Sequence, residues 1–168
     1  MRINISGLMN LIADEERKFH NLSISLSSNV YSSSIQELNG TVNVIEEYKE
    51  EFSNTLEELI ATVNKITKLK TILYEKNNIF KLSDGRTIQE AITENNYLRR
   101  VKFIYDNILT YRDITKRVTE VNNSYFEVKK VNFNVDNIKR KQEEINKIIQ
   151  DTDFEISKLN SIEFEIDI

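Results

Sequence analysis

Cysteine, proline and tryptophan are all missing from this chain of 168 residues, and glycine occurs only at Gly7, Gly40 and Gly85. Without cysteine there is no disulfide, no thiolate metal site and no cysteine nucleophile, so nothing calls for an oxidising compartment and a cytoplasmic location is expected. Without proline, few positions interrupt a helix. The single histidine, His20, cannot supply both Glu-x-x-His units of a di-iron bundle, and although Glu16 lies one turn earlier, an ordinary surface or boundary histidine and no metal site are expected. Three scattered glycines also exclude the Gly-x-x-x-x-Gly-Lys and Gly-x-Gly-x-x-Gly phosphate loops. No apolar run approaches the roughly 20 residues of a membrane-spanning helix. The N-terminal stretch lacks the uninterrupted apolar segment of a secretory signal. A formal net charge of -4 argues against general affinity for nucleic acid. No cofactor is expected, and no small-molecule ligand can be named.

What is present is helical periodicity. Leu8, Ile12, Phe19, Leu22 and Leu26 step by three and four once the polar Glu15 is counted on the stripe, predicting a helix over about 5–28. The alternation Leu22-Ser23-Ile24-Ser25-Leu26-Ser27 competes with it as a strand signal. Residues 28–40, rich in serine and asparagine, read as a mobile connector. A second helix over about 43–76 carries Ile45, Tyr48, Phe52, Leu56, Leu59, Val63, Ile66, Leu69 and Leu73 as a coiled-coil-like seam. At 1.5 Å per residue it would be roughly 50 Å long. A third over about 88–119 would pack against it as an antiparallel hairpin.

Between those two lies the most specific local signal, Leu82-Ser83-Asp84-Gly85-Arg86-Thr87-Ile88-Gln89-Glu90. Asp84-Gly85 predicts a turn with positive φ at the glycine. Thr87 and Glu90 have capping-box spacing. Asp84, Gly85, Arg86, Thr87 and Glu90 are therefore the structural or interface candidates. Arg86 is the one without an evident local partner, so it is either solvated or reserved for a subunit or anion contact.

The C-terminal third changes character. Residues 126–135 alternate, with a change of parity at Lys129-Lys130 that suggests a bulge. Asp136 is the expected cap of a fourth helix over about 136–160, followed by the alternating strand 162–168. These two strands are the natural pair, joined through the helix. The expected fold is thus mainly α in one domain, 1–168: a long helical hairpin within a four-helix bundle, with a small two-stranded β element near the C-terminus.

Charge along the second helix runs from acidic to basic. Glu46, Glu47, Glu50, Glu51, Glu57 and Glu58 face only Lys49 in its first half, and Lys65, Lys68, Lys70 and Lys76 face only Glu75 in its second. That order suits the helix dipole, but Glu46/Glu50 and Glu47/Glu51 are repulsive i, i+4 pairs that a basic surface would relieve. Lys139-Arg140-Lys141, Arg99-Arg100 or the basic half of another copy could supply one. A homo-oligomer is expected, with acidic and basic halves opposed.

The run Leu82 to Ile92, followed by Leu98-Arg99-Arg100, resembles the septicolysin-like family of small, functionally uncharacterised bacterial helical proteins. In that family a Leu-x-Asp-Gly-Arg-Thr turn precedes the same helix. The stretch Val131-Asn132-Phe133-Asn134-Val135-Asp136, then Ile138, Lys141-Gln142 and the segment from Ile145 to Leu159, is similar to the family's strand, cap and last helix. The resemblance covers about half the chain, and the family's tryptophan after the last helix is absent here. It implies an α-helical, oligomeric protein. The expected function is a non-enzymatic, self-associating structural or protein-interaction module. The alternatives are a membrane-active cytolysin of the septicolysin type and a carboxylate-bound metal protein.

Overall fold

The first helix begins where an asparagine satisfies it. In the computed structural model, which describes residues 1–121 and 123–167, Asn4 closes a short strand β1 (Arg2–Asn4) and caps α1 (Ile5–Ser28), its side-chain oxygen accepting from the Gly7 N–H at 2.8 Å. A Cβ on Gly7 would lie 2.9 Å from Ile3 Cγ1, so the cap region closes around a residue without a side chain. The alternating stretch after Leu22 is helical. Ser23, Ser27 and Ser28 turn their hydroxyls onto the carbonyls of Phe19, Ser23 and Ile24, four residues earlier, which satisfies them without a strand partner. The buried residues of α1 are Ile5, Leu8 and Ile12, all near its start.

The chain then forms two strands, β2 (Ser33–Gln36) and β3 (Val42–Glu46), where a mobile connector and the first turn of a helix were expected. The cause is local. Gly40 adopts φ +89 and donates its N–H to the Glu37 carbonyl at 2.9 Å, while the Glu37 N–H donates to the Thr41 carbonyl at 2.8 Å. That closes a tight hairpin in front of the β-branched run Val42, Val44 and Ile45. β2 and β3 pair antiparallel, with an irregularity between Ser33 and Ser34. Helix α2 (Lys49–Ile79) starts only afterwards, with Glu50 and Glu51 in its first turn.

Next come α3 (Ile88–Ile108), β4 (Ile114–Glu120), β5 (Asn123–Lys129), α4 (Val135–Asn160) and β6 (Glu163–Glu165). Helix α3 is shorter than the expected 88–119. It ends in a turn where the Thr110 and Tyr111 N–H groups bond to the Asn107 and Ile108 carbonyls, and the β-branched residues from Ile114 onward enter a strand. The expected pairing of 126–135 with 162–168 does not form. β5 instead pairs with β4, from Ile114↔Lys129 to Glu120↔Asn123, and β6 pairs with β1, Ile3 opposite Phe164. A two-residue connection closes at far lower entropic cost than a crossover through a helix. The expected bulge at Lys129-Lys130 is the end of β5, since the Val131 N–H is taken by Asp113 at 2.9 Å. Asn134, not Asp136, caps α4: its side-chain oxygen accepts from the Asn137 N–H at 2.9 Å, and its carbonyl accepts from the Ile138 N–H. Ile168 lies outside the described residues.

The protein is therefore mainly α, with four helices and three separate two-stranded antiparallel sheets among the described residues. It divides into two compact units, Met1–Ile79 with Leu159–Ile168, and Phe80–Lys158. In the first, Leu8, Ile12, Leu69 and Ile166 form the core, with Leu11, Ile72, Leu73 and Phe164 packed on it. Helices α1 and α2 run antiparallel and are joined by ion pairs: Glu15 to Lys65 at 2.6 Å, Glu16 to Lys70 at 2.7 Å and Lys18 to Glu58 at 2.7 Å. Two lysines of the basic half of α2 are thus engaged within the chain, because α1 lies beside it with carboxylates in register.

In the second unit Leu82, Ile88, Ala91 and Ile149 are buried. Helices α3 and α4 are held antiparallel by polar contacts. Asn95 donates to Asp153 at 2.9 Å, Arg99 bonds to Asp153 at 2.7 Å, and Asp106 accepts from Gln142. Lys102 also holds Asp106, and with Gln142 it keeps that carboxyl below the usual carboxylate range.

Candidate functional site

The 82–90 turn forms as its residues predict. The Gly85 N–H donates to the Leu82 carbonyl at 3.0 Å, Gly85 takes φ +91, and the Leu82 N–H donates to the Arg86 carbonyl at 2.8 Å. Leu82 is thereby folded into the core while Ser83 and Asp84 stay exposed. The capping box is complete: the Thr87 N–H donates to Glu90 Oε2 at 2.8 Å, and the Glu90 N–H donates to Thr87 Oγ1 at 3.1 Å. The Thr87 backbone N–H, then its hydroxyl, hold the Glu90 carboxyl below its ordinary pKa.

Arg86 has local partners after all. It forms a salt bridge with Asp84 at 2.6 Å and reaches Glu94, one turn beyond Glu90 on α3. Asp84 also accepts from the Arg86 N–H at 3.0 Å, so its carboxyl is held low, first by the guanidinium and then by this backbone bond. Ser83 is held from α4, its N–H and hydroxyl donating to the two Glu155 oxygens at 2.8 and 2.7 Å. Sequence reasoning missed Glu94 and Glu155. The i, i+4 spacing of Glu90 and Glu94 was a usable signal for the first, and no local signal points to the second, 72 residues away. The side chains of Ser83, Asp84, Arg86, Thr87 and Glu90 are thus all used in building the turn.

His20 lies on α1 beside Ala13, Glu16, Arg17 and Asn21, which line an open surface depression. Glu16 is committed to Lys70. Among the described residues no three His, Cys, Asp or Glu side chains gather as a metal site. No described helix is long and apolar enough to cross a membrane.

The unexpected features are the two hairpins. Every residue of β2, β3 and β5 is exposed, and of β4 only Val118 is partly covered. They nevertheless carry large apolar side chains: Ile35, Val42, Val44 and Ile45 on the first, and Ile114, Tyr125, Phe126 and Val128 on the second, Phe126 being 65% exposed. Each is a two-stranded ribbon with both edges open. Isolated two-stranded hairpins are marginal in water, and open edges are templates for further strands.

The hairpins also differ in charge. From Val30 to Glu47 the chain has Glu37, Glu46 and Glu47 and no lysine or arginine, whereas from Arg112 to Lys130 it has Arg112, Lys116, Arg117, Lys129 and Lys130 against Asp113, Glu120 and Glu127. Part of this is used locally. Glu37 accepts from Asn39 and Asn43, Lys129 lies 3.6 Å from Glu127, Asp113 holds Val131, and Arg112 donates to the Tyr111 carbonyl at 2.8 Å. Glu46, Glu47, Lys116 and Arg117 form no ion pair among the described residues.

No family model matches the chain, so the septicolysin-like resemblance rests on the quoted residues alone. None of the curated proteins compared matches it either. The structure is similar to the crystal structure of a functionally unknown conserved protein from Corynebacterium diphtheriae, with a TM-score of 0.65 at 17% sequence identity, covering 98% of this chain and 100% of that one. At that identity the likeness is one of fold.

Proposed function

We propose that the protein is a self-associating structural or protein-interaction module without catalytic chemistry of its own. The observation that carries this reading is the pair of exposed, open-edged hairpins with apolar side chains on them. Burying such side chains stabilises by roughly 25 cal/mol per Å² of apolar area, and leaving a ribbon uncovered forgoes that gain. Another copy of the chain is a cover present at every concentration of the protein. The 82–90 turn serves in this reading as a rigid start for α3.

Sedimentation equilibrium on the purified protein tests the proposal. An apparent mass above that of one chain, rising with concentration, is the expected result. The mass of a single chain throughout removes the self-association reading. The membrane-active alternative that goes with the septicolysin-like resemblance is tested separately by dye leakage from lipid vesicles, and release at low protein-to-lipid ratio would replace the present reading with that one.

A further inference from the structure

We infer that the acidic hairpin β2–β3 of one copy is the docking partner of the basic hairpin β4–β5 of another, joining edge to edge into a four-stranded antiparallel sheet. This rests on the self-association reading and names the surfaces it uses. Each hairpin ends in open edges, each is exposed on both faces, and in the chain itself they belong to separate two-stranded sheets.

Charge selects the pairing. Two acidic hairpins brought together would oppose Glu46 and Glu47 to the same residues of the other copy, and two basic hairpins would oppose Lys116 and Arg117 likewise; like charges across strands are destabilising. The unlike combination removes both repulsions. An antiparallel alignment that sets Ile45 beside Val118 also sets Glu46 beside Arg117 and Glu47 beside Lys116, so the apolar and charged positions agree in one register. None of these four charged residues is committed to an ion pair among the described residues. The occupant is thus a second copy rather than an unrelated peptide, since the same sequence carries both complementary ribbons. The contact is heterologous: where it is reciprocal the assembly closes as a pair, and where it is not it propagates.

Charge reversal in trans tests this. Glu46→Lys with Glu47→Lys leaves two basic hairpins, and Lys116→Glu with Arg117→Glu leaves two acidic ones. Each double variant, folded by circular dichroism, is expected to show the mass of one chain by light scattering where the wild type is larger. An equimolar mixture of the two is expected to regain the larger mass, and so is the variant with all four changes. High salt should lower the wild-type mass. A wild type that is a single chain at all concentrations overturns the self-association reading and this inference together. A wild type that associates, with double variants that associate equally well, overturns this inference alone and leaves self-association standing. Double variants that dissociate without recovery in the mixture or in the fourfold variant also overturn it, because loss without rescue is damage and not pairing.

Discussion

Asn95, only 1% exposed, points its amide nitrogen at the carboxylate of Asp153, 2.9 Å away on the facing helix. The same nitrogen lies 3.3 Å from the Ile149 carbonyl, while the Asn95 side-chain oxygen meets no partner. Asp153 is also held by Arg99. The pair fixes the register of α3 against α4 with a buried polar group that is only half satisfied.

Two substitutions should therefore act in opposite ways. Asp153→Ala leaves the buried Asn95 amide with only its 3.3 Å bond to the Ile149 carbonyl and removes the partner of Arg99, and should destabilise by about 1–3 kcal/mol. Asn95→Leu removes the unpaired oxygen and leaves Asp153 with Arg99, so it should be near neutral or stabilising. Urea denaturation of the two variants beside wild type measures both.

The 82–90 turn separates backbone from side-chain effects. Gly85→Ala places a Cβ where nothing lies within 4 Å, yet its φ of +91 makes the cost conformational, about 1–2 kcal/mol. Thr87→Ala loses the cap and should cost about 1 kcal/mol. Thermal melts of the single and double variants check whether the effects add.

Acid should destabilise the protein in a predictable direction. The carboxyls of Asp84, Glu90, Asp106 and Glu155 are all held below their ordinary values, by Arg86, the Thr87 backbone, Lys102 and the Ser83 backbone in turn. Their folded state binds fewer protons than the unfolded one. The stability they contribute is present above the ordinary carboxylate range and is lost as pH falls through their lowered folded values. Urea midpoints measured from about pH 6 to about pH 3 should fall, and less steeply in Glu155→Gln. Lys18 and Lys70, raised by Glu58 and Glu16, act oppositely: their contribution is present below the ordinary lysine value and is lost as pH rises through the raised one.

Reversing charge on α2 should report on the chain before it reports on assembly. Lys65→Glu and Lys70→Glu turn attraction toward Glu15 and Glu16 into repulsion and should each lower stability, Lys65→Glu the more because its partner Glu15 is the better covered carboxylate. Lys68→Glu, with no ion pair of its own among the described residues, should change little. Equal effects at all three positions would show that register between α1 and α2 is not set by these pairs.

What could be read from the residues was local. The bounds 5–28 and the Thr87–Glu90 box follow from periodicity and capping, both decided within a few residues. Ile45 and Tyr48 continue the three- and four-residue steps of α2, so Val42–Glu46 reads as helix until Gly40 turns the chain back on β2. Ile114–Glu120 failed in the same way, as the fading end of a helical stripe. Strand partners were the least legible: β1 has only three residues, and its pairing with β6 joins positions more than 150 apart, which no local spacing announces.

One feature of α1 has a kinetic consequence. Its buried residues, Ile5, Leu8 and Ile12, lie in the first third, while its later turns hold exposed residues such as Phe19 and Ile24, with serine hydroxyls turned onto carbonyls four residues earlier. Amide hydrogen exchange should then be graded along a single unbroken helix, slow at Leu8 and Ile12 and fast from Ser23 to Ser28, so that α1 opens from its C-terminal end while its root stays closed.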